Sequence, residues 1–327
     1  MAVITYAEAL RQGLREEMQR DPAVFLLGED IAQYGGIFKI TRDLWQEFGL
    51  ERVRNTPISE GAIVGAALGA ALTGMRPVAD LQYIDFTTVA MDQIVQHVAK
   101  VRFLSAGQAK VPLVIRAQGG GGRSNGAQHS QSLEAWFAHV PGLYVVQPAT
   151  AYDAKGLLKT AIRDDNPVIF IEHKALYNQK GEVPGDEYLI PLGKADIKRA
   201  GKHVTVVATS AMVVLALKVA ESLSKEGIDV EVVDPRTIYP LDIETILDSV
   251  RRTNRAVVVY EAVRRHGVGA EIAALIQEHA FEHLDAPVLR VGGKETTLAL
   301  SPVLEQAAIP SEENLSQAIR QVLYATP

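Results

Sequence analysis

The stretch Pro57-Ile58-Ser59-Glu60-Gly61-Ala62-Ile63-Val64-Gly65-Ala66-Ala67-Leu68-Gly69-Ala70-Ala71-Leu72-Thr73-Gly74 decides how the chain is read. It has the marks of a helix, with Ser59 as N-cap and Gly74 as the stop before Met75-Arg76-Pro77. Gly61, Gly65 and Gly69 recur every fourth residue and share one face. Each costs about 1 kcal/mol of helix stability relative to alanine, so that face is expected to meet another backbone closely, such as a second helix of the same kind. Glu60 sits at the mouth of this helix. A carboxylate there is either a solvated partner of the helix dipole or a dry acid able to share a proton. The rest of the chain decides between the two.

Working outward, apolar runs alternate with amphipathic stretches. Helical periodicity covers 5–20, and strands are expected at 24–30, 53–56, 77–83, 111–116, 143–148 and 167–172. Further helices are expected at 87–103 and 152–163. Periodicity fades between Lys174 and Ala200, where Gly, Pro and charges accumulate, which marks a linker. A second alternating unit follows, with strands at 204–209, 229–234, 255–261 and 288–291 and helices at 212–226, 242–253, 268–279 and 312–324. The expected fold is α/β, with two doubly wound, mostly parallel-sheet domains spanning 1–185 and 186–327.

Bulk properties exclude several classes. The 327 residues carry 33 Lys and Arg against 39 Asp and Glu, a net charge of −6. No basic run with interleaved aromatics is present, so neither nucleic acid nor an anionic membrane is expected as partner. The chain has no Cys, which rules out disulfides, thiolate nucleophiles and Cys-based metal sites. The start, Met1-Ala2-Val3-Ile4-Thr5-Tyr6-Ala7-Glu8, lacks the features of a signal peptide, so a cytoplasmic protein is expected. Gly120-Gly121-Gly122 matches neither common phosphate-loop spacing and reads as a flexible loop over a site.

The ordered set Gly28-Glu29-Asp30, Gly35-Gly36, Pro57-Ile58-Ser59-Glu60-Gly61, Arg76-Pro77, Asp92-Gln93-Ile94, Gln128-His129-Ser130-Gln131-Ser132, Pro141-Gly142-Leu143 and Asp165-Asn166-Pro167 resembles the beta subunit of thiamine-diphosphate-dependent 2-oxoacid dehydrogenases. The resemblance runs almost end to end, and Ala32-Gln33-Tyr34-Gly35-Gly36-Ile37-Phe38-Lys39 is nearer the pyruvate branch. It implies a thiamine-diphosphate pyrimidine-binding domain followed by a transketolase C-terminal-like domain. It also implies a heterotetramer of two alpha and two beta subunits, docked on a dihydrolipoyl acyltransferase through that protein's subunit-binding domain. The diphosphate and its Mg²⁺ are held by the alpha subunit in this family, and this chain has no Gly-Asp-Gly.

The same resemblance assigns roles. Glu60 matches the glutamate that hydrogen-bonds the pyrimidine nitrogen and supports removal of the thiazolium proton. His129 matches a histidine that orients the acyl intermediate and donates a proton during transfer to the lipoyl arm. Phe86 matches the aromatic that stacks on the pyrimidine. Glu29 and Ile58 match positions lining the same pocket, and Tyr34 is placed toward the substrate. Main-chain oxygens of Leu113, Ala161, Asp164 and Asn166 match a potassium loop. On charge alone, acidic residues near Glu282, Asp285, Glu305 and Glu312 are expected to receive basic side chains of the acyltransferase. The expected function is pyruvate decarboxylation and acyl transfer, without activity in the absence of the alpha subunit. Acetoin cleavage is the alternative, echoed by Leu176-Tyr177-Asn178 and Ser301-Pro302-Val303-Leu304-Glu305, followed by branched-chain 2-oxoacids. A cofactor-free scaffold or binding module is the reading from another class.

Overall fold

Strands form where apolar runs are cut short by Gly, Pro or Asp, and helices form where apolar residues return every third or fourth position. The computed structural model of the protein describes residues 1–324. It divides into two units: Met1–Gly119 with Trp136–Leu192, and Gly120–Ala135 with the chain from Gly193 onward. Residues 120–135, expected in the first domain, therefore cluster with the second unit.

The first unit contains β1 (Ala2–Thr5), α1 (Tyr6–Arg20), β2 (Val24–Gly28), α2 (Leu44–Phe48), β3 (Val53–Asn55), α3 (Glu60–Leu72), β4 (Arg76–Tyr83), α4 (Val101–Leu104), β5 (Val114–Gly119), α5 (which begins at Glu134 and ends at Ala138), β6 (Tyr144–Val146), α6 (Ala151–Arg163), β7 (Val168–His173) and β8 (Lys180–Val183). Its main sheet runs β6-β7-β5-β4-β2-β3, all parallel. β1 and β8 form a separate antiparallel ribbon, with Ala2 opposite Val183.

Thr5 caps α1 by accepting from the Glu8 amide, and Thr150 caps α6 by accepting from the Asp153 amide. α1 buries Leu10, Leu14 and Met18, each worth about 1.5–3 kcal/mol relative to exposure. It packs on α6. Lys155 and Lys159 of α6 are buried there, and both reach Glu16, at 2.6 and 2.8 Å.

The expected helix at 87–103 is broken. A 3₁₀ turn covers Ile84–Thr88, a π-helical turn covers Gln93–Val98, and only Val101–Leu104 is α-helical at its end. The Ala99 amide donates to the Ile94 carbonyl, five residues back, which widens the turn. β5 starts at Val114 rather than Val111. Pro112 has no N–H to give to a ladder.

The second unit contains β9 (Asp196–Arg199), β10 (Val204–Ala208), α7 (Ala211–Ser224), β11 (Val230–Asp234), β12 (Thr237–Tyr239), α8 (Ile243–Thr253), β13 (Ala256–Val263), α9 (Val268–Ala280), β14 (Leu289–Gly293), α10 (Pro302–Ala308) and α11 (Glu312–Leu323). Its sheet runs β14-β13-β10-β11-β9, parallel except for the edge strand β9. Asp242 caps α8, and Asn254 ends it in the left-handed region. Both units thus have the expected α/β, mostly parallel build. Among the described residues, no helix is long and apolar enough to cross a membrane.

Candidate active site

The carboxyl ends of parallel strands collect loops, and loops there carry chemistry. In the first unit Gly28 of β2 lies opposite Asp80 of β4 and Asn55 of β3. A Cβ on Gly28 would stand 2.5 Å from the Asp80 carbonyl oxygen, so only glycine lets these strand ends approach. Glu29 follows at once. Gln82, with φ +60, donates its own N–H to Asp80 Oδ1 at 2.9 Å and its Nε2 to the Glu29 carbonyl at 3.3 Å. The Asn55 side chain accepts from the Ala32 amide at 2.8 Å and pins the glycine loop Gly35-Gly36 to β3.

Glu60 is the first residue of α3 and is buried, at 9% exposure. Ser59 is its N-cap residue, but the Ser59 side chain makes no capping bond. The Glu29 carboxyl is pushed up from its usual range by burial, then by the charges of Asp30 and Glu60. Glu29 and Glu60 are therefore brought together at the mouth of α3. Ile58 is 74% exposed. The glycine face of α3 meets its own chain only in part: Gly61 faces the Val89 carbonyl, Gly65 faces the Gln93 side chain at 3.3 Å, and Gly69 faces open space.

Phe86, half-buried in the 3₁₀ turn after β4, meets Tyr83 edge-on at 5.5 Å. Tyr83 meets Phe38 at 5.9 Å, and Phe38 meets Tyr177 at 4.9 Å. The rings make a continuous row. Tyr34 is more than half exposed, with the Lys39 ammonium 3.1 Å from its ring centroid.

Under this row lies a buried ion network absent from the sequence-based expectation. Arg116 donates through Nε and Nη2 to Glu172 at 2.6 and 3.0 Å and through Nη1 to Asp80 at 2.6 Å. The Tyr177 hydroxyl donates to Glu172 at 2.6 Å. Burial opposes the Arg116 charge, yet the charges of Glu172 and Asp80 outweigh it and hold the guanidinium protonated. Burial pushes Glu172 up, and Arg116 pulls it back. Burial and the neighbouring Glu172 charge push the Tyr177 phenol well up. The signal was present: Arg116 and Glu172 interrupt or end otherwise apolar strand runs.

His129 lies in the second unit, in the segment 120–135. The Gly120 amide donates to the Gln131 carbonyl at 3.0 Å, and the His129 amide to the Gly126 carbonyl at 3.3 Å. Glu261 Oε1 accepts from the Gly121 amide at 2.6 Å, and Glu305 Oε2 accepts from the Ser124 amide at 2.9 Å. Glu305 is only 2% exposed. It therefore faces inward and is not available as a surface acid, contrary to expectation. Asp285 pairs with Arg255 and Glu312 with Lys218, both at 3.0 Å.

Of the expected potassium ligands, the Asp164 carbonyl is already taken by an arginine, and arginines also hold the residues around it. Arg76 donates to the carbonyls of Ile162, Arg163 and Asp164 at 2.8, 2.6 and 2.7 Å, and Arg102 donates to the Asp165 carbonyl and Asn166 Oδ1. The Leu113 carbonyl accepts from the Val168 amide at 2.9 Å. Ala161 lies within α6. Among the described residues, no group of three or more His, Asp or Glu is placed to hold a metal ion.

Comparison with known proteins agrees with this architecture. Residues 2–180 match the transketolase pyrimidine-binding domain family, and residues 193–315 match the transketolase C-terminal domain family. The chain is 47% identical to the pyruvate dehydrogenase E1 component subunit beta of Rickettsia felis, covering 98% of both chains. It is 45% identical to the 2-oxoisovalerate dehydrogenase subunit beta of Bacillus subtilis, covering 98% of this chain and 99% of that one. A solved split-gene transketolase, described as an inactive beta4 tetramer, superposes with a TM-score of 0.80 at 25% identity over 98% of each chain. With two domain families matched in order and near-complete relatives at this identity, the chain belongs to the beta subunits of the 2-oxoacid dehydrogenase E1 component.

Proposed function

We propose that the chain is the beta half of a thiamine-diphosphate-dependent decarboxylase that acts on pyruvate and passes the acyl group to a lipoyl arm. The observation that carries this reading is Glu60: a buried carboxyl on the first position of a glycine-faced helix, beside a second carboxyl of raised pKa. The residues present suit an aminopyrimidine. Glu60 offers a carboxyl to a ring nitrogen, and Phe86 offers an aromatic neighbour. Thr56 Oγ1, just before α3, is buried with no hydrogen-bond partner among the described residues, as befits a polar atom awaiting a ligand.

Thiamine diphosphate, when bound, supplies an electron sink for the pair of electrons released as the 2-oxoacid loses CO₂. In this reading the Glu60 carboxyl hydrogen-bonds the ring nitrogen, and Glu29 lines the same pocket. Phe86 supports the ring, and Ile58 and Tyr34 belong to the walls of the pocket. His129 is the proton donor for acyl transfer. The alpha subunit holds the diphosphate and Mg²⁺, a second beta subunit completes the assembly, and the acyltransferase docks on it. A cytoplasmic location is part of this proposal. A potassium ion at the main-chain oxygens of Leu113, Ala161, Asp164 and Asn166 would have to share the Asp164 carbonyl with Arg76 and the Leu113 carbonyl with the Val168 amide. Melting in K⁺ against Na⁺ tests it, with a K⁺-specific rise expected if the ion is there.

The second reading, a branched-chain substrate, is favoured by the identity to a 2-oxoisovalerate dehydrogenase subunit. Co-expression with the alpha partner, followed by assay of pyruvate, 2-oxoisovalerate and acetoin with a two-electron dye, separates the readings. Pyruvate is expected to show the highest kcat/KM. Full turnover by this chain alone, or none in the reconstituted assembly, overturns the proposal.

A further inference from the structure

Residues 120–131 form a loop closed at its neck by the Gly120–Gln131 hydrogen bond. Four of its residues, Gly120, Gly122, Ser124 and Gly126, have positive φ, so the segment has little intrinsic preference for this shape. Its shape is imposed by the second unit. A Cβ on Gly121 would come within 2.9 Å of Leu298, and one on Gly126 within 3.0 Å of Leu300. The Gly121 amide is held by Glu261, and Ser124 is held by Glu305 through its amide at 2.9 Å and its hydroxyl at 3.4 Å.

Glu305 is costly where it stands. Its side chain is almost wholly buried, and Oε1 has no hydrogen-bond partner among the described residues. A buried carboxylate with one unmatched oxygen loses solvation that a leucine or methionine of similar size would not need. Its other oxygen, Oε2, accepts from the Ser124 amide and hydroxyl. Stability therefore does not account for the acid, whereas ordering the loop does.

We infer that Glu305 is the positioning residue of the loop that carries His129, with Glu261 as its second anchor. The inference rests on the proposed role of His129 for its effect on turnover, but not for its effect on the loop. Glu305 ties the middle of the loop to α10, leaving His129 five residues beyond the tie.

The test uses the full chain, alone and assembled with its alpha partner. In Glu305→Leu, hydrogen exchange at the Ser124 amide and tryptic cleavage after Arg123 should each rise about tenfold or more, as expected for loss of a charge-assisted hydrogen bond. Exchange in β13 should not change. The assembled variant should lose about tenfold in kcat at unchanged affinity for thiamine diphosphate. Ser124→Ala keeps the donor amide and should leave exchange near wild type. Gly121→Ala, which leaves Glu305 intact but pushes the loop off Leu298, should reproduce the loosened loop. Exchange and cleavage within twofold of wild type in Glu305→Leu overturn the inference, and a loosened loop in Gly121→Ala shows that the two readouts detect loosening when it occurs. His129→Ala is measured alongside. Unaltered turnover in that variant removes the proposed role of His129, while the exchange rates alone decide the role of Glu305.

Discussion

Arg116 grips both carboxylate oxygens of Glu172, from adjacent strands of one parallel sheet, with both side chains shut off from water. Arg116→Met leaves Glu172 and Asp80 buried and unpaired. Breaking such a pair costs about 3–5 kcal/mol, and urea denaturation should show a loss of that size. Arg116→Met combined with Glu172→Gln should recover part of it. If the single variant melts like the parent, the network has no role in stability.

Glu60 is expected to matter for rate and not for folding. Glu60→Ala in the reconstituted enzyme should lower turnover by about two to four decades, while its melting temperature stays close to the parent's. A loss under threefold removes Glu60 from the mechanism.

Asp165 should shape the acid limb of the stability curve. The Lys110 hydrogen bond lowers its pKa, burial opposes this, and the Lys110 charge and Arg76 add to the lowering. The folded state thus binds this proton more weakly than the unfolded state. Its stabilisation is complete above the ordinary carboxylate value of about 4 and is lost as pH falls through the folded pKa. Asp165→Asn should flatten that limb in melts recorded between about pH 2 and pH 5.

Glu29 has the opposite sign. Its raised pKa means that the folded state holds the proton more tightly, so its contribution is present below about 4.5 and lost as pH rises through the folded value. Glu29→Gln should therefore leave the protein as stable as the parent at pH 4 and slightly more stable at pH 7. A loss at pH 7 in chemical denaturation would contradict this.

Gly142 has φ +103, and a Cβ there would run into the Ala99 carbonyl. Gly142→Ala combines a disfavoured backbone with a clash against main chain and should cost about 2 kcal/mol or more. Lowered soluble yield and melting temperature would show it.

Much of this fold was legible in the sequence. Val204–Ala208, Val230–Asp234 and the Asp242-capped α8 fall where apolar runs and caps place them, because buried parallel strands carry a strong pattern. β8 and β9 were not legible. Lys180-Gly-Glu-Val and Asp196-Ile-Lys-Arg are short and polar, in keeping with edge positions, and they were hidden inside the supposed linker. Ser59 placed Glu60 at a helix mouth, but its neighbours left a solvated and a dry carboxyl both open, and the role proposed for it came from the family resemblance. Gln82 and Glu305 could not be placed from their neighbours. Gln82 acts through a left-handed backbone kink, and Glu305 meets its partner 181 positions earlier in the chain.

That separation has a consequence for biosynthesis. The loop at 120–131 leaves the ribosome long before the acids that hold it, which follow at distances of 140 and 181 residues. At about 5–20 residues per second, the nascent segment waits on the order of ten to thirty seconds for Glu305. Until Glu261 and then Glu305 have been made, the segment that carries His129 lacks both of these anchors, so its final setting waits on residues translated well after it.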